Sequence, residues 1–314
     1  MHSPELAPPC PAGADKAPPD RMHIYRDGFL FASAGAELRT CRHAGSLLIA
    51  LGEPGFELEI AGTLGNHRAV VVRPFMAKRL LARGVPFACL DVSAPHPMFR
   101  HLSLLPGPGW QALDAQRLRP VLPALQAFLD GTLDDLISRR LYMRILKHAA
   151  AMLPEPPPPD ARVQRVLAQI ERAPGSSFEE LAETACLSVD RLSHLFSQDM
   201  GLPLRKHLQS MKVRAAARLY GRGMTLTEIA AAAGFCDSAH FSKAWMQCYG
   251  TPPGQYFMYG TARIFPMPHT LSRYASEPQA LAQPQQRGQP EGSEQHRSQA
   301  MHQPHRDALR NAAA

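Results

Sequence analysis

Two clusters of short polar and charged side chains recur in the C-terminal half of the chain. The first holds Asp190, Arg191, Ser193, His194 and Ser197; the second holds Ser238, Ala239, His240, Ser242, Lys243 and Gln247. Each is threaded by apolar residues at helical spacing, Leu192, Leu195 and Phe196 in one and Phe241, Ala244 and Trp245 in the other. A helix with a single apolar stripe buries that stripe and leaves its other face free. Hydroxyl, imidazole, guanidinium and ammonium groups on such a face match the donors and acceptors that base edges present in a DNA major groove, which makes these positions candidate base-reading residues. Arg191, His194, Ser242 and Lys243 lead the set. Arg205, Lys206, Lys212 and Arg214 lie between the clusters, on a stretch from Leu204 to Tyr220 whose Leu208, Met211, Val213, Ala216 and Leu219 predict one long helix. Cations along a helix point to phosphate contacts, which position a protein on DNA without reading its sequence.

The elements that must hold these residues repeat. Leu181-Ala182 and Ile229-Ala230 open two matching segments at an offset of 48; Ser188 and Asp237, Leu192 and Phe241, Phe196 and Trp245, Gly201 and Gly250, and Pro203 and Pro252 then match at an offset of 49. Each copy predicts a short alanine-containing helix, a turn around Cys186-Leu187 or Gly234-Phe235-Cys236, and a second helix started by an N-capping Ser188 or Asp237. This is the pattern of a helix-turn-helix, whose second helix enters the major groove. A rigid helix between the copies would set two recognition helices into successive groove segments about 34 Å apart. Their unlike faces imply an asymmetric site.

These residues resemble the AraC/XylS family of bacterial transcription regulators. The resemblance runs over about 100 residues, from Asp160-Ala161-Arg162-Val163 to Tyr256. It is carried by Ile229-Ala230-x-x-x-Gly234-Phe235-x-Asp237-x-x-x-Phe241-Ser242-Lys243-x-Trp245 and by Tyr249-Gly250-x-Pro252-Pro253-x-x-Tyr256. The first copy adds Leu181-Ala182, then Ser188-x-x-x-Leu192-Ser193-His194-x-Phe196, then Gly201-x-Pro203. His194 stands where the family usually carries an arginine, and a neutral imidazole lacks the arginine's bidentate fork. The resemblance implies a sequence-specific DNA-binding transcription regulator with double-stranded DNA and RNA polymerase as partners, activation being favoured over repression. It also implies an N-terminal cupin-like β-barrel followed by helices, a half that binds a small-molecule effector or brings two copies together as a homodimer.

The expected fold class is therefore α+β, in five stretches. Residues 1–20 read as a disordered arm, 21–153 as the cupin-like regulatory domain, 154–159 as a linker, 160–260 as the double helix-turn-helix domain and 275–314 as a disordered tail. Five prolines among the six residues from Pro154 to Pro159 define the linker. In the N-terminal domain, strands are expected over Gly28-Phe31, Ser46-Leu51, Phe56-Ile60, Ala69-Val72 and Phe87-Val92. Two helices are expected between Leu113 and Leu153, where leucines recur at helical spacing.

Composition removes other classes. The 314 residues are 45% hydrophobic, enough for real cores, and 34 basic against 27 acidic side chains give a net charge of +7, which permits a polyanionic partner without requiring one. No apolar run approaches the roughly 18 residues of a membrane helix, so no membrane partner is expected. Glu5 and the prolines of Met1–Cys10 replace the basic start and apolar stretch of a signal peptide, which favours the cytoplasm. The six cysteines show no C-x-x-C pair, and Cys186 and Cys236 read as thiols packed inside the two turns and therefore inert. His43, His96 and His101 lack companions at ligand spacing, so neither metal nor other cofactor is expected. No phosphate-binding loop, nucleophile elbow or zinc-protease motif supports an enzyme. Two rivals stay open: a cupin-like catalyst using His43, and an architectural DNA binder governed by salt alone.

Overall fold

The computed structural model describes residues 20–94, 96–220, 222–250, 252–254 and 262–264. The expected arm apart from Asp20, the expected tail, and Tyr256 of the C-terminal motif lie outside the described residues.

Among the described residues, nine strands come first: β1 (Arg21–Tyr25), β2 (Gly28–Ser33), β3 (Ala36–Thr40), β4 (Gly45–Ala50), β5 (Phe56–Ile60), β6 (Thr63–His67), β7 (Ala69–Val72), β8 (Lys78–Ala82) and β9 (Phe87–Val92). A short helix α1 (Phe99–Ser103), strand β10 (Trp110–Ala112), a 3₁₀ segment (Ala115–Val121) and helices α2 (Leu122–Asp130) and α3 (Asp135–Ala150) follow, and β11 (Ala262–Ile264) returns late in the chain. One sheet has the order β10-β7-β4-β9-β2-β1-β11 and the other β3-β8-β5-β6. Their ladders are antiparallel except for β1 with β11. Among the described residues no ladder joins the two sheets, so the expected closed barrel is instead an open pair of sheets.

Alternation explains why β4 reads as an unbroken apolar run. Leu47 and Ile49 turn to the side covered by α2 and α3, in one core with Phe128, Leu141 and Ile145. Leu48 and Ala50 turn to the second sheet, in a core with Phe56, Leu58 and Leu80. Successive strand side chains point to opposite faces, so a strand covered on both has no position that faces water. Asp134 caps α3 by accepting from the amides of Leu136 and Ile137 at 2.8 and 3.3 Å.

Six helices complete the described chain: α4 (Ala161–Arg172), α5 (Phe178–Ala185), α6 (Val189–Met200), α7 (Leu204–Ala217), α8 (Leu226–Ala232) and α9 (Ser238–Tyr249). The long helix expected to reach Tyr220 ends at Ala217, and its last residues continue as a turn in which Leu219 and Tyr220 donate to Ala216 and Ala217. The two cores of the sheet domain do not stop at the linker. One runs on through Val163, Ile170 and Leu181 to Leu192 and Phe196, the other through Val213 and Ile229 to Phe241 and Trp245. The proline linker is itself held, with Arg100 Nη1 donating to the Pro157 carbonyl at 2.7 Å. No helix among the described residues is long and apolar enough to cross a membrane.

Candidate nucleic-acid interface

Each copy of the repeat is built alike. Ser177 and Glu180 close a capping box at the start of α5, and Thr225 and Glu228 close the equivalent box at α8. Both are Ser/Thr-x-x-Glu at the repeat's own offset of 48, a signal legible in the sequence and missed there. The turn then needs a left-handed residue. Gly234 supplies it in the second copy at φ 77°, while Cys186 supplies it in the first at φ 54°, a conformation only glycine adopts without cost. Cys186 and Cys236 are both exposed rather than packed inside their turns.

The recognition helices start on schedule. Ser188 Oγ accepts from the Arg191 amide at 3.3 Å and Asp237 Oδ1 from the His240 amide at 2.6 Å. Leu192 and Phe196 in α6, and Phe241 and Trp245 in α9, are fully buried. Around these stripes Asp190, Arg191, His194, Ala239, His240 and Lys243 are exposed, and Ser193, Ser197, Ser238 and Ser242 half-buried. Ser197 Oγ donates to the Ser193 carbonyl within its helix at 2.8 Å.

Not every expected contact residue faces outward. Gln247 turns to the sheet domain, where its backbone carbonyl accepts from the His43 amide at 3.3 Å and its side-chain oxygen is buried. Arg214, expected on a phosphate, is 8% exposed and lies against the Met211 sulfur, on the α7 face that also buries His207, Ser210, Val213 and Ala217. Lys206 is half-buried, donates to Gln209 at 3.3 Å and sits close enough to His43 to repel its charged form. Lys212 is exposed but donates to the Gly234 carbonyl at 2.9 Å, so it fastens the second turn. Arg205 is left exposed as expected.

Both recognition helices also end on the sheet domain. Gly201, at φ 67°, caps α6 so close to α1 that a methyl group there would lie 2.7 Å from the Ser103 carbonyl oxygen; Gly250, at φ 84°, caps α9 with the Arg42 guanidinium 2.9 Å from the same hypothetical atom. Beside Gly201, Arg100 clamps Asp199, donating to its carboxylate at 2.9 Å and to its carbonyl at 3.0 Å.

Two buried imidazoles make this arrangement acid-sensitive. Burial, with Arg214 adding repulsion, pushes His207 down to about 3; burial and Lys206 push His43 down to about 4. In the unfolded chain both return to about 6.5. Below that value the unfolded state binds more protons, so stability is full above pH 6.5 and falls as pH drops toward the folded values. Urea unfolding at pH 7.5, 6 and 5 is expected to show a loss of roughly 1 kcal/mol per pH unit for each histidine below pH 6.5. His207→Gln should lose the part of that slope which His207 contributes; an unaltered slope would contradict the assignment.

The fold and this surface define a two-domain chain whose C-terminal half is a double helix-turn-helix. Residues 181–258 match the family described as a helix-turn-helix domain, which supports the resemblance of this half of the chain to the AraC/XylS regulators. It is 28% identical over 133 residues to the arabinose operon regulatory protein of Salmonella typhimurium (strain LT2), covering 40% of this chain and 47% of that one. The transcriptional activator NphR of a Rhodococcus species is 30% identical over 96 residues, 30% of this chain and 28% of that one. The chain spans about half or less of the curated relatives it matches. ToxT from Vibrio cholerae O395 superposes with a TM-score of 0.45 at 10% identity, over 72% of this chain and 95% of ToxT.

Proposed function

We propose that this chain is a cytoplasmic, sequence-specific transcription regulator, acting as an activator with RNA polymerase as its downstream partner. The carrying observation is the repeat: two helix-turn-helix copies with equivalent caps and cores each leave one recognition-helix face open. Arg191 and His194 in α6, and Ser242 and Lys243 in α9, read bases, while Arg205 and the flanking polar residues touch phosphate. The N-terminal domain, read as an opened cupin-like sandwich, takes a small effector and passes its state to the recognition helices through the contacts at Gly201 and Gly250.

Selection of bound DNA from a random pool tests the reading. An asymmetric motif of two blocks about one helical turn apart is expected, and a chain ending at Leu153 should recover none. Arg191→Ala and Lys243→Ala should each cost about 1–3 kcal/mol and relax discrimination in different blocks. Unchanged selectivity in both would remove them from the reading face.

Self-association is assigned to α3. Its outer face exposes Leu136, Ile137 and Met143, at 60, 48 and 39%, more apolar surface than a helix packed on one side alone needs. Leu136→Glu with Ile137→Glu should convert a dimer to a monomer in sedimentation equilibrium without loss of fold; a wild-type monomer at micromolar concentration would refute this assignment.

A further inference from the structure

Each copy of the repeat is built into a different core of the sheet domain. The first copy, through Leu192, Phe196, Met200 and Leu202, shares the core that lies under α1, α2 and α3. The second, through Phe241, Trp245 and Tyr249, shares the core between the two sheets with Phe29, Leu48 and Phe56. The connecting helix α7 passes from one to the other, with Leu204 in the first core and Val213, Ala216 and Ala217 in the second.

The points at which the sheet domain meets the two recognition helices belong to one stiff unit. The end of α6 meets α1, where Arg100 donates to the Asp199 carboxylate and carbonyl at 2.9 and 3.0 Å, the two side chains being only 12 and 10% exposed. The same carboxylate accepts from the Asp160 amide at 3.3 Å, at the start of the helical half. The end of α9 meets β2 and the segment just before β4: the Gln247 carbonyl accepts from the His43 amide, Phe29 packs on Tyr249 with ring centroids 6.0 Å apart, and the Arg42 guanidinium lies beside Gly250. These two points join at Gly45, the first residue of β4 and two residues after His43, where a methyl group would lie 2.6 Å from the Leu102 Cβ of α1. Helix α1 is thus seated on the strand that carries the α9 contact. The Phe75 amide, donating to the Arg42 carbonyl at 2.8 Å, fastens the same segment.

A rigid body that grips both recognition helices fixes how far apart, and at what rotation, they present their reading faces. We infer that the sheet domain sets the number of base pairs between the two blocks of the DNA site, with Arg100 and Phe29 as positioning residues for that spacing; the inference rests on the regulator reading above. One added base pair moves a block about 3.4 Å along the DNA axis and about 35° around it. Helices locked to one body cannot follow that step without giving up base contacts. Helices joined through α7 alone would follow it by flexing where α7 meets each copy.

The test measures the full chain by fluorescence anisotropy, at one salt concentration, on its selected two-block site and on versions with one base pair added or removed between the blocks. The wild type should bind the parent site about tenfold tighter than either altered site, the loss expected for giving up base contacts in one block. Arg100→Gln should fold with an unchanged far-ultraviolet spectrum, reduce that preference to about threefold or less, and keep the wild-type affinity for a site whose second block is scrambled. The scrambled site separates loss of positioning from damage to the fold, which would weaken single-block binding as well. Phe29→Leu, at the other end, should loosen the spacing in the same way and decides the matter if Arg100→Gln fails to fold. An undiminished preference in both variants would assign the spacing to α7 alone, and equal wild-type binding to all three sites would show that no spacing is fixed; either result overturns the inference. A selection that yields no motif overturns the regulator reading, and this inference with it, before any spacing is compared.

Discussion

Alanine at Trp245 is expected to cost about 3–5 kcal/mol, the range for deleting a large buried aromatic, and to abolish reading of one half of the DNA site. Trp245 is fully buried and is the hub of the second copy: Phe241, Tyr249 and Tyr220 pack on it with ring centroids at 5.7, 4.5 and 5.1 Å. Removing it leaves a cavity bounded by rings from α9 and from the turn after α7, which cannot all collapse inward together. The equivalent Phe196 has His207 as its ring neighbour, at 5.5 Å, so Phe196→Ala should cost toward the lower end of the same range. The two variants should also fail differently. Footprinting on the selected site should lose the block read by α9 in Trp245→Ala and the block read by α6 in Phe196→Ala. Loss of both blocks in either variant would show that the copies do not read independently.

The contrast between those copies was legible because helical and repeat periodicities are local. Ser188 and Asp237 cap their helices, and Leu192, Phe196, Phe241 and Trp245 are buried, as spacing alone predicts. The strands β2, β4, β5, β7 and β9 were legible as apolar runs. Strands β3, β6 and β8 were not: β3 and β6 alternate with exposed Glu37, Arg39, Thr63, Leu64 and Asn66, and β8 begins Lys78-Arg79, a pair that reads as surface. The inward turns of Gln247 and Arg214 share one cause. A helical wheel shows which positions leave their own helix's core, but not that a second domain covers them. Gln247 is taken up by His43, a residue more than 200 positions earlier in the chain. Arg214 is covered on the α7 face that packs inward. For Cys186 and Cys236 the error runs the other way, since a turn between two helices is closed by backbone geometry and leaves its side chains in water.

How firmly the sheet domain grips the recognition helices can be measured with alanine at three glycines of positive φ. Each pays about 1–2 kcal/mol for placing a Cβ in the left-handed region. At Gly234 nothing more is due, because the nearest atoms, those of the Lys212 side chain, are 3.8 Å away. At Gly250 the new methyl meets the far end of Arg42, which can yield, though only by giving up its place over Phe29 or beside Asp91. At Gly201 it meets the Ser103 carbonyl at 2.7 Å, a backbone atom of α1 that Arg100 and Asp199 hold against α6. Overpacking there adds about 1–3 kcal/mol, so destabilisation in urea should rank Gly201→Ala above Gly250→Ala above Gly234→Ala. Hydrogen exchange should place the damage: the Leu104 amide, bonded to the Arg100 carbonyl, loses protection in Gly201→Ala, and the His43 amide loses it in Gly250→Ala. If Gly201→Ala costs no more than Gly234→Ala, the first recognition helix is not docked on α1 in solution. Any signal from the sheet domain must then travel by way of α9, whose C-terminal end meets Arg42, His43 and Phe29.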